Sequence, residues 1–256
     1  MKKRLIAMCT AALLTLSACS TGASGSDSQT DSAEPTTLTV FAAASLTEVF
    51  DEIAAEYKKT EPNVDVTFSF AGSSDLVSQI TEGAPADVIA TADEKTMNDL
   101  ESAELLAGTP EIFASNTLTL AVAPGNPKNI ASSQDFAGND LVVCAPQVPC
   151  GAATQKWAGQ NGVTLDPASE ENSVTDVLGK VSAGQADAGI VYVTDVARSD
   201  GSVDQVDLDG ADKVVNQYPA ATVKASENQE QADAFVRFLR SDTAVAMLKD
   251  AGFSTP

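Results

Sequence analysis

FAAASLTEVF, residues Phe41 to Phe50, decides how the rest of the chain is read. An apolar strand end runs through three alanines into Ser45, and Val49 and Phe50 then start a helical spacing that continues at Ile53, Ala54 and Tyr57. Ser45 and Glu48 stand at capping-box spacing, which predicts the serine oxygen on early helix N–H groups and the glutamate reaching back. A turn from strand end to helix start gathers N–H donors and the positive end of the helix dipole at one point, a setting that suits an anion. Serine is equally an ordinary N-cap, so this turn alone names no ligand. Recurrence adds weight: Gly72-Ser73-Ser74, Pro149-Cys150-Gly151 and Asn172-Ser173-Val174 are three more small-residue turns, each opening an apparent helix.

Outward from that stretch, strands and helices alternate. Val64 to Phe70 alternates apolar and polar as a strand, Asp75 to Glu82 reads as a helix closed by Gly83, Ala86 to Ala92 as a strand and Glu94 to Glu104 as a helix. Leu118 to Ala123 is a strand ended by Pro124, and a crossing into a second lobe. There Leu141 to Ala145 and Ala188 to Val193 read as strands, with helices over Gly151 to Gln160 and Val174 to Ala183. Val214-Val215 and Ala220 to Val223 read as the return crossing, and Glu230 to Leu239 and Ala244 to Ala251 as closing helices. Such alternation predicts an α/β fold with a mainly parallel sheet, whose ligands sit beyond the carboxyl ends of strands.

The first residues stand apart. Lys2, Lys3 and Arg4 precede an apolar run, Leu5 to Leu16, that is too short to span a bilayer and has the charged flank of a secretory signal. Leu16-Ser17-Ala18-Cys19 resembles the lipobox of bacterial lipoproteins, which predicts a signal peptide over 1–18 and acylation of Cys19. Ordinary cleavage after Ala18, leaving a free Cys19 thiol, is the alternative. Residues 19–36 are nearly devoid of apolar side chains and read as a flexible tether.

Composition removes several function classes. The chain of 256 residues has 36 acidic and 15 basic side chains, a net charge of −21 that argues against nucleic acid or anionic lipid headgroups as partners. Histidine is absent, which excludes a Ser-His-Asp triad, a Cys-His dyad and histidine-bearing zinc sites. Ser-Lys hydrolase chemistry stays formally open. With Cys9 in the signal and Cys19 at the anchor, Cys144 and Cys150 remain, and in an oxidising exterior such a pair reads as a disulfide. A thiol oxidoreductase using these two cysteines is a competing reading, although their spacing is not the C-x-x-C that lowers a thiol pKa.

FAAASL at Phe41 to Leu46, FAGSSDL at Phe70 to Leu76, EGAPADVIATAD at Glu82 to Asp93, VPCG at Val148 to Gly151 and GIVYVTD at Gly189 to Asp195 together resemble the molybdate-binding proteins of bacterial ABC importers. The resemblance runs in order from Thr37 to about Phe253. It implies a type II periplasmic-binding-protein fold, with lobe 1 formed by 37–119 plus 222–256 and lobe 2 by 120–221, joined by two crossing segments. It also implies hydroxyl donation from Ser45 and Ser73, backbone donation at Cys150 and Val174, and a phenol donor at Tyr192, all to one oxyanion. Cysteine at 150 departs from the alanine usual in VPxG; a backbone contact survives that change.

The expected protein is therefore a monomeric, extracytoplasmic, lipid-anchored binding subunit, not an enzyme and without a cofactor. Its ligand is molybdate or tungstate, and its partners are an ABC permease and ATPase. Sulfate or another tetrahedral oxyanion is the rival ligand. A fully deprotonated oxyanion offers only acceptors, so a discriminating pocket presents only donors.

Overall fold

The computed structural model describes residues 35–256. The signal peptide, Cys19 and nearly all of the tether lie outside the described residues. In chain order the first elements are β1 (Thr36–Ala43), α1 (Thr47–Thr60), β2 (Val64–Ala71), α2 (Ser73–Thr81), β3 (Val88–Ala90), α3 (Glu94–Ser102) and β4 (Glu111–Val122). Then come β5 (Leu141–Cys144), α4 (Pro149–Asn161), β6 (Ser169–Glu171), α5 (Val174–Ser182), β7 (Ala188–Tyr192), α6 (Val193–Ala197) and β8 (Asp204–Val206). The chain finishes with β9 (Val215–Thr222), α7 (Gln229–Phe238) and α8 (Asp242–Asp250). No helix among the described residues is long and apolar enough to cross a membrane.

One curled sheet runs β2-β1-β3-β9-β4-β7-β5-β6, with β8 pairing on β4. β1 is parallel to β2 and β3, and β5 is parallel to β6 and β7, as the alternating pattern predicts. Every pairing of β4 and β9 is antiparallel, so the sheet is mixed rather than mainly parallel. The reason is that both crossing segments are themselves strands. β4 pairs with β9 through Thr117 and with β7 from Leu118 onward, so one 12-residue strand changes partner midway. β9 does the same, pairing with β4 and then, over Ala220 to Thr222, with β3. Reading only Leu118 to Ala123 as strand missed the first half of β4, and the short β6, β8 and α6 went unread because their few residues carry no long period.

The start of α1 corrects another expectation. A short 3-10 turn, Ala44–Leu46, precedes it, and Leu46 rather than Ser45 is the N-cap, with no side-chain cap bond. Glu48 is then the second residue of the helix, too early for the reciprocal bond of a capping box. Thr47 instead ties its hydroxyl to Ala44 O at 2.8 Å, and Ser45 is left buried with its hydroxyl elsewhere.

Packing follows the apolar periods. Phe50 on α1 lies 5.8 Å from Phe68 and 5.7 Å from Phe113 between ring centroids, and Tyr57 lies 5.2 Å from Phe235 and 5.0 Å from Phe238 of α7. The closing helix α7 thus covers the first strand group. Trp157 is fully buried and satisfies its indole N–H on Asp209 O at 2.8 Å, a core role only. Asp87, at the entry to β3, is a buried structural carboxylate: Thr39 N–H donates to it at 2.7 Å, Ser226 hydroxyl at 2.6 Å and Asn228 side-chain amide at 3.3 Å. Asp87→Ala leaves these donors without their acceptor and should cost about 3 kcal/mol of stability, read as a shifted urea midpoint with an unchanged slope.

Candidate functional site

Three helix starts, the 3-10 turn and the end of β7 meet around one cavity. Its lining includes Ala43 to Ser45, Ala71 to Ser73, Ala92, Val148 to Cys150, Asn172 to Val174 and Tyr192. All five residues expected to bind, Ser45, Ser73, Cys150, Val174 and Tyr192, therefore line the same space. That space has a volume of about 20 Å³, where one water needs roughly 10–15 Å³. It suits one small compact ligand and excludes nucleotides, sugars and peptides.

Each donor has a local reason. Pro149 begins α4 without an N–H, and the first amide of that turn with a backbone acceptor is Ala152, on Val148 O at 2.9 Å. The Cys150 and Gly151 N–H groups are among the helix-start donors that no helical carbonyl can reach. At α5, Ser173 is the N-cap and takes Asp176 N–H at 3.1 Å, while Val177 N–H returns to Ser173 O at 3.3 Å. The Val174 and Thr175 amides are left over in the same way. Ser73 opens α2 without capping it; its oxygen accepts Ala92 N–H at 3.0 Å, so its own hydrogen is available. Ser45 Oγ and Tyr218 Oη lie 2.9 Å apart.

Two glycines permit this convergence. A Cβ on Gly72 would lie 2.1 Å from Asn172 O, so the start of α2 presses directly on the turn before α5. A Cβ on Gly151 would lie 1.8 Å from Ala145 O, which packs the start of α4 on the end of β5. Beside it the Cys144 and Cys150 sulfurs stand 2.10 Å apart, with Cα atoms separated by 5.7 Å. Nearby, Ser74 hydroxyl donates to Gln147 O at 2.9 Å, and elsewhere Arg198 pairs with Glu52 of α1 at 2.6 Å.

The electrostatics are neutral. None of the described residues lining the cavity carries a formal charge. Tyr192 is 1% exposed, and burial, then Tyr218 and the carboxylates of Asp195 and Asp93, push its phenol pKa well above the usual value. It is a neutral hydroxyl at every physiological pH. Among the described residues no group of metal-ligating side chains stands together.

Two residues of this site escaped the sequence reading. Asn216 donates its side-chain amide to Tyr192 Oη and to Ala92 O, both at 2.9 Å, and Tyr218 is the partner of Ser45. Both are buried on β9. Their signal was an asparagine and a tyrosine two positions apart in one strand, which places both on one face.

Fold and cavity together define a protein that encloses a small solute between strand groups. Residues 38–254 match the family model described as bacterial extracellular solute-binding protein, and the chain belongs to that family. It is 45% identical over 221 residues to the molybdate-binding protein ModA of Mycobacterium tuberculosis, covering 86% of this chain and 85% of that protein. It is 28% identical over 241 residues to a putative ABC transporter substrate-binding lipoprotein of Bacillus subtilis, covering 91% and 92%. Among solved structures, the periplasmic molybdate-binding protein of Azotobacter vinelandii superimposes with a TM-score of 0.75 at 25% identity, over 86% of this chain and 99% of that one. The architecture is the two-lobed fold of periplasmic binding proteins.

Asp195 holds the end of β7 by accepting Tyr192 N–H at 2.8 Å. Burial pushes its pKa up to about 7 from 3.8, against the pull of that N–H bond and with Glu48 adding to the rise. A carboxyl that keeps its proton to higher pH when folded than when unfolded penalises folding increasingly as pH rises from about 4 to about 7, after which the penalty is constant. Asp195→Asn keeps an acceptor for Tyr192 N–H and removes the penalty. Its stability relative to the parent chain should therefore improve across that window by up to a few kcal/mol and then plateau, in urea titrations at stepped pH.

Proposed function

We propose that this chain captures molybdate, and tungstate as its near twin, in the cavity and presents it to the permease and ATPase of an ABC importer. One observation carries the reading: hydroxyls of Ser45, Ser73 and Tyr192 and the backbone N–H groups of Cys150 and Val174 surround a space for one small ligand that no charged side chain lines. A fully deprotonated tetrahedral oxyanion accepts from all of them, whereas a protonated one brings a hydrogen for which the lining offers no carboxylate. Hydrogen bonds to a charged partner contribute about 1.5–3 kcal/mol each, so five support submicromolar binding after the costs of association. The similarity to a molybdate-binding protein at 45% identity supports the choice of ion.

In this reading the two lobes, 37–119 with 222–256 and 120–221, close on the ion. Ser45 and Ser73 come from one lobe and Cys150, Val174 and Tyr192 from the other, so the ligand shifts the equilibrium by contacts available only when the lobes meet. Cys144 and Cys150 form a disulfide that fixes the turn carrying the Cys150 amide, and the lipobox at Leu16 to Cys19 anchors a monomer to the outer face of the cell membrane. Likeness to a protein described as a lipoprotein supports that anchor.

Calorimetric titration of the domain with molybdate, tungstate, sulfate and phosphate tests the proposal. Molybdate and tungstate should bind submicromolar, with sulfate and phosphate at least about a hundredfold weaker; tighter sulfate binding overturns it. Gly72→Ala, whose new methyl would collide with Asn172 O only where the lobes meet, should lower molybdate affinity at least about a hundredfold while leaving the unfolding midpoint of the ligand-free protein within a few degrees.

A further inference from the structure

We infer that Asn216 is a specificity-determining positioning residue: it dictates which way the proton on Tyr192 points and so makes the pocket intolerant of any oxyanion that carries a hydrogen. The inference rests on the oxyanion reading of the cavity and deepens it.

The polarity follows from a carbonyl. Asn216 Nδ2 lies 2.9 Å from Ala92 O, and a carbonyl oxygen can only accept, so the atom facing it is the amide nitrogen. The same nitrogen lies 2.9 Å from Tyr192 Oη. Its second hydrogen is thus directed at the phenol oxygen, which must accept. A phenol has one hydrogen, and burial keeps that hydrogen on Tyr192. Asn216 occupies the back of that oxygen, and the neighbouring Tyr218 is already engaged with Ser45, so the proton on Tyr192 is the group left to offer a ligand in the cavity.

The other hydroxyls are held alike. Ala92 N–H occupies Ser73 Oγ at 3.0 Å, so the single peptide unit pair at Ala92 orients Ser73 through its nitrogen and Asn216 through its oxygen. Tyr218 Oη stands 2.9 Å from Ser45 Oγ, a pair in which either atom can donate; an acceptor-only ligand turns the serine proton inward and makes Tyr218 the donor. Asn216 is an unambiguous side-chain donor to Tyr192. It sits on β9, outside the cavity lining, at 7% exposure with both amide hydrogens engaged. An asparagine there supplies a donor for both Ala92 O and Tyr192 Oη.

The test compares molybdate and inorganic phosphate binding by calorimetry at pH 6 and pH 8 in the full domain, Asn216→Ala, Asn216→Asp, Tyr192→Phe and the Asn216→Ala/Tyr192→Phe double variant. Asn216→Ala should weaken molybdate about tenfold and narrow the molybdate-to-phosphate ratio, since a freed phenol can rotate and accept. Asn216→Asp, whose carboxylate accepts a hydrogen bond from the Tyr192 hydroxyl and so turns the phenol oxygen toward the cavity, should narrow it further, with phosphate bound better at pH 6 than at pH 8. In the Tyr192→Phe background Asn216→Ala should have little further effect on molybdate, because its action passes through the missing hydroxyl. If the parent domain binds molybdate but the ratio is unchanged in Asn216→Ala, or the two substitutions are additive, the inference fails while the oxyanion reading stands. If the parent domain does not bind molybdate, the oxyanion reading fails first. Should Asn216→Asp not fold, Asn216→Ala and the double variant decide the matter.

Discussion

The pairing of β4 with β9 is the interaction on which the rest of the molecule depends. It is the seam between two strand groups, each with parallel pairs and helices of its own, and it is made by two chain segments that run in opposite directions. Asn116 faces Asn216 in its register. Asn116 sends its amide to Thr194 in α6 at 2.7 Å, and Asn216 sends its own to Ala92 at the end of β3 and to Tyr192 at the end of β7. Paired asparagines on adjacent strands thus fasten the seam to both groups of strand ends, and the helix starts those strands feed are the ones around the cavity. Ser45 belongs to the same system through Tyr218, which lies two residues beyond Asn216 on the same face of β9.

A site without charge is the consistent solution for an anion in this chain. With a net charge of −21 the overall field repels anions, and an arginine or lysine in the pocket would be the simple remedy. Burying a cation, however, carries a desolvation penalty of several kcal/mol, and in the ligand-free protein nothing offsets it. Helix-start amides and hydroxyls avoid that penalty. They are dipoles already directed inward, and those at helix starts lack an intrahelical acceptor whether or not a ligand is bound. The cost is geometric: amides must be brought within hydrogen-bond reach of one point by backbone alone, which demands close approach at Gly72 and Gly151.

Much of this was legible in the sequence because it is local. A strand that ends in small residues and passes into a helix has a recognisable pattern, and four such turns marked the cavity's walls. The expected residues Ser45, Ser73, Cys150, Val174 and Tyr192 do line one space, and the helices over residues 75–82, 151–160 and 174–183 fall within about two residues of their observed bounds. What was illegible is long-range. Nothing in FAAASLTEVF reveals that a 3-10 turn intervenes before α1, or that the Ser45 hydroxyl bonds a tyrosine 173 residues away. The partner exchange within β4 is equally invisible, because a strand's period does not say which neighbour it pairs with. Asn216 and Tyr218 were overlooked for the same reason: their importance lies in what they touch.

The two glycines show why a cavity of this kind can also report on its contents. Gly151 presses on Ala145, six residues earlier in the chain and within one strand group, so that contact belongs to the fold itself. Gly72 presses on Asn172, from the other group, and the groups share few covalent routes beyond the two crossing strands. The first contact lies within one group, and in the proposed reading the second forms as the groups close. In the proposed reading a small ion in the cavity gathers donors from both sides of the second contact, so its binding energy is delivered across the seam rather than within either half. A ligand whose contacts all came from one side would bind without altering the other, and the protein would have nothing to present to a partner that distinguishes full from free.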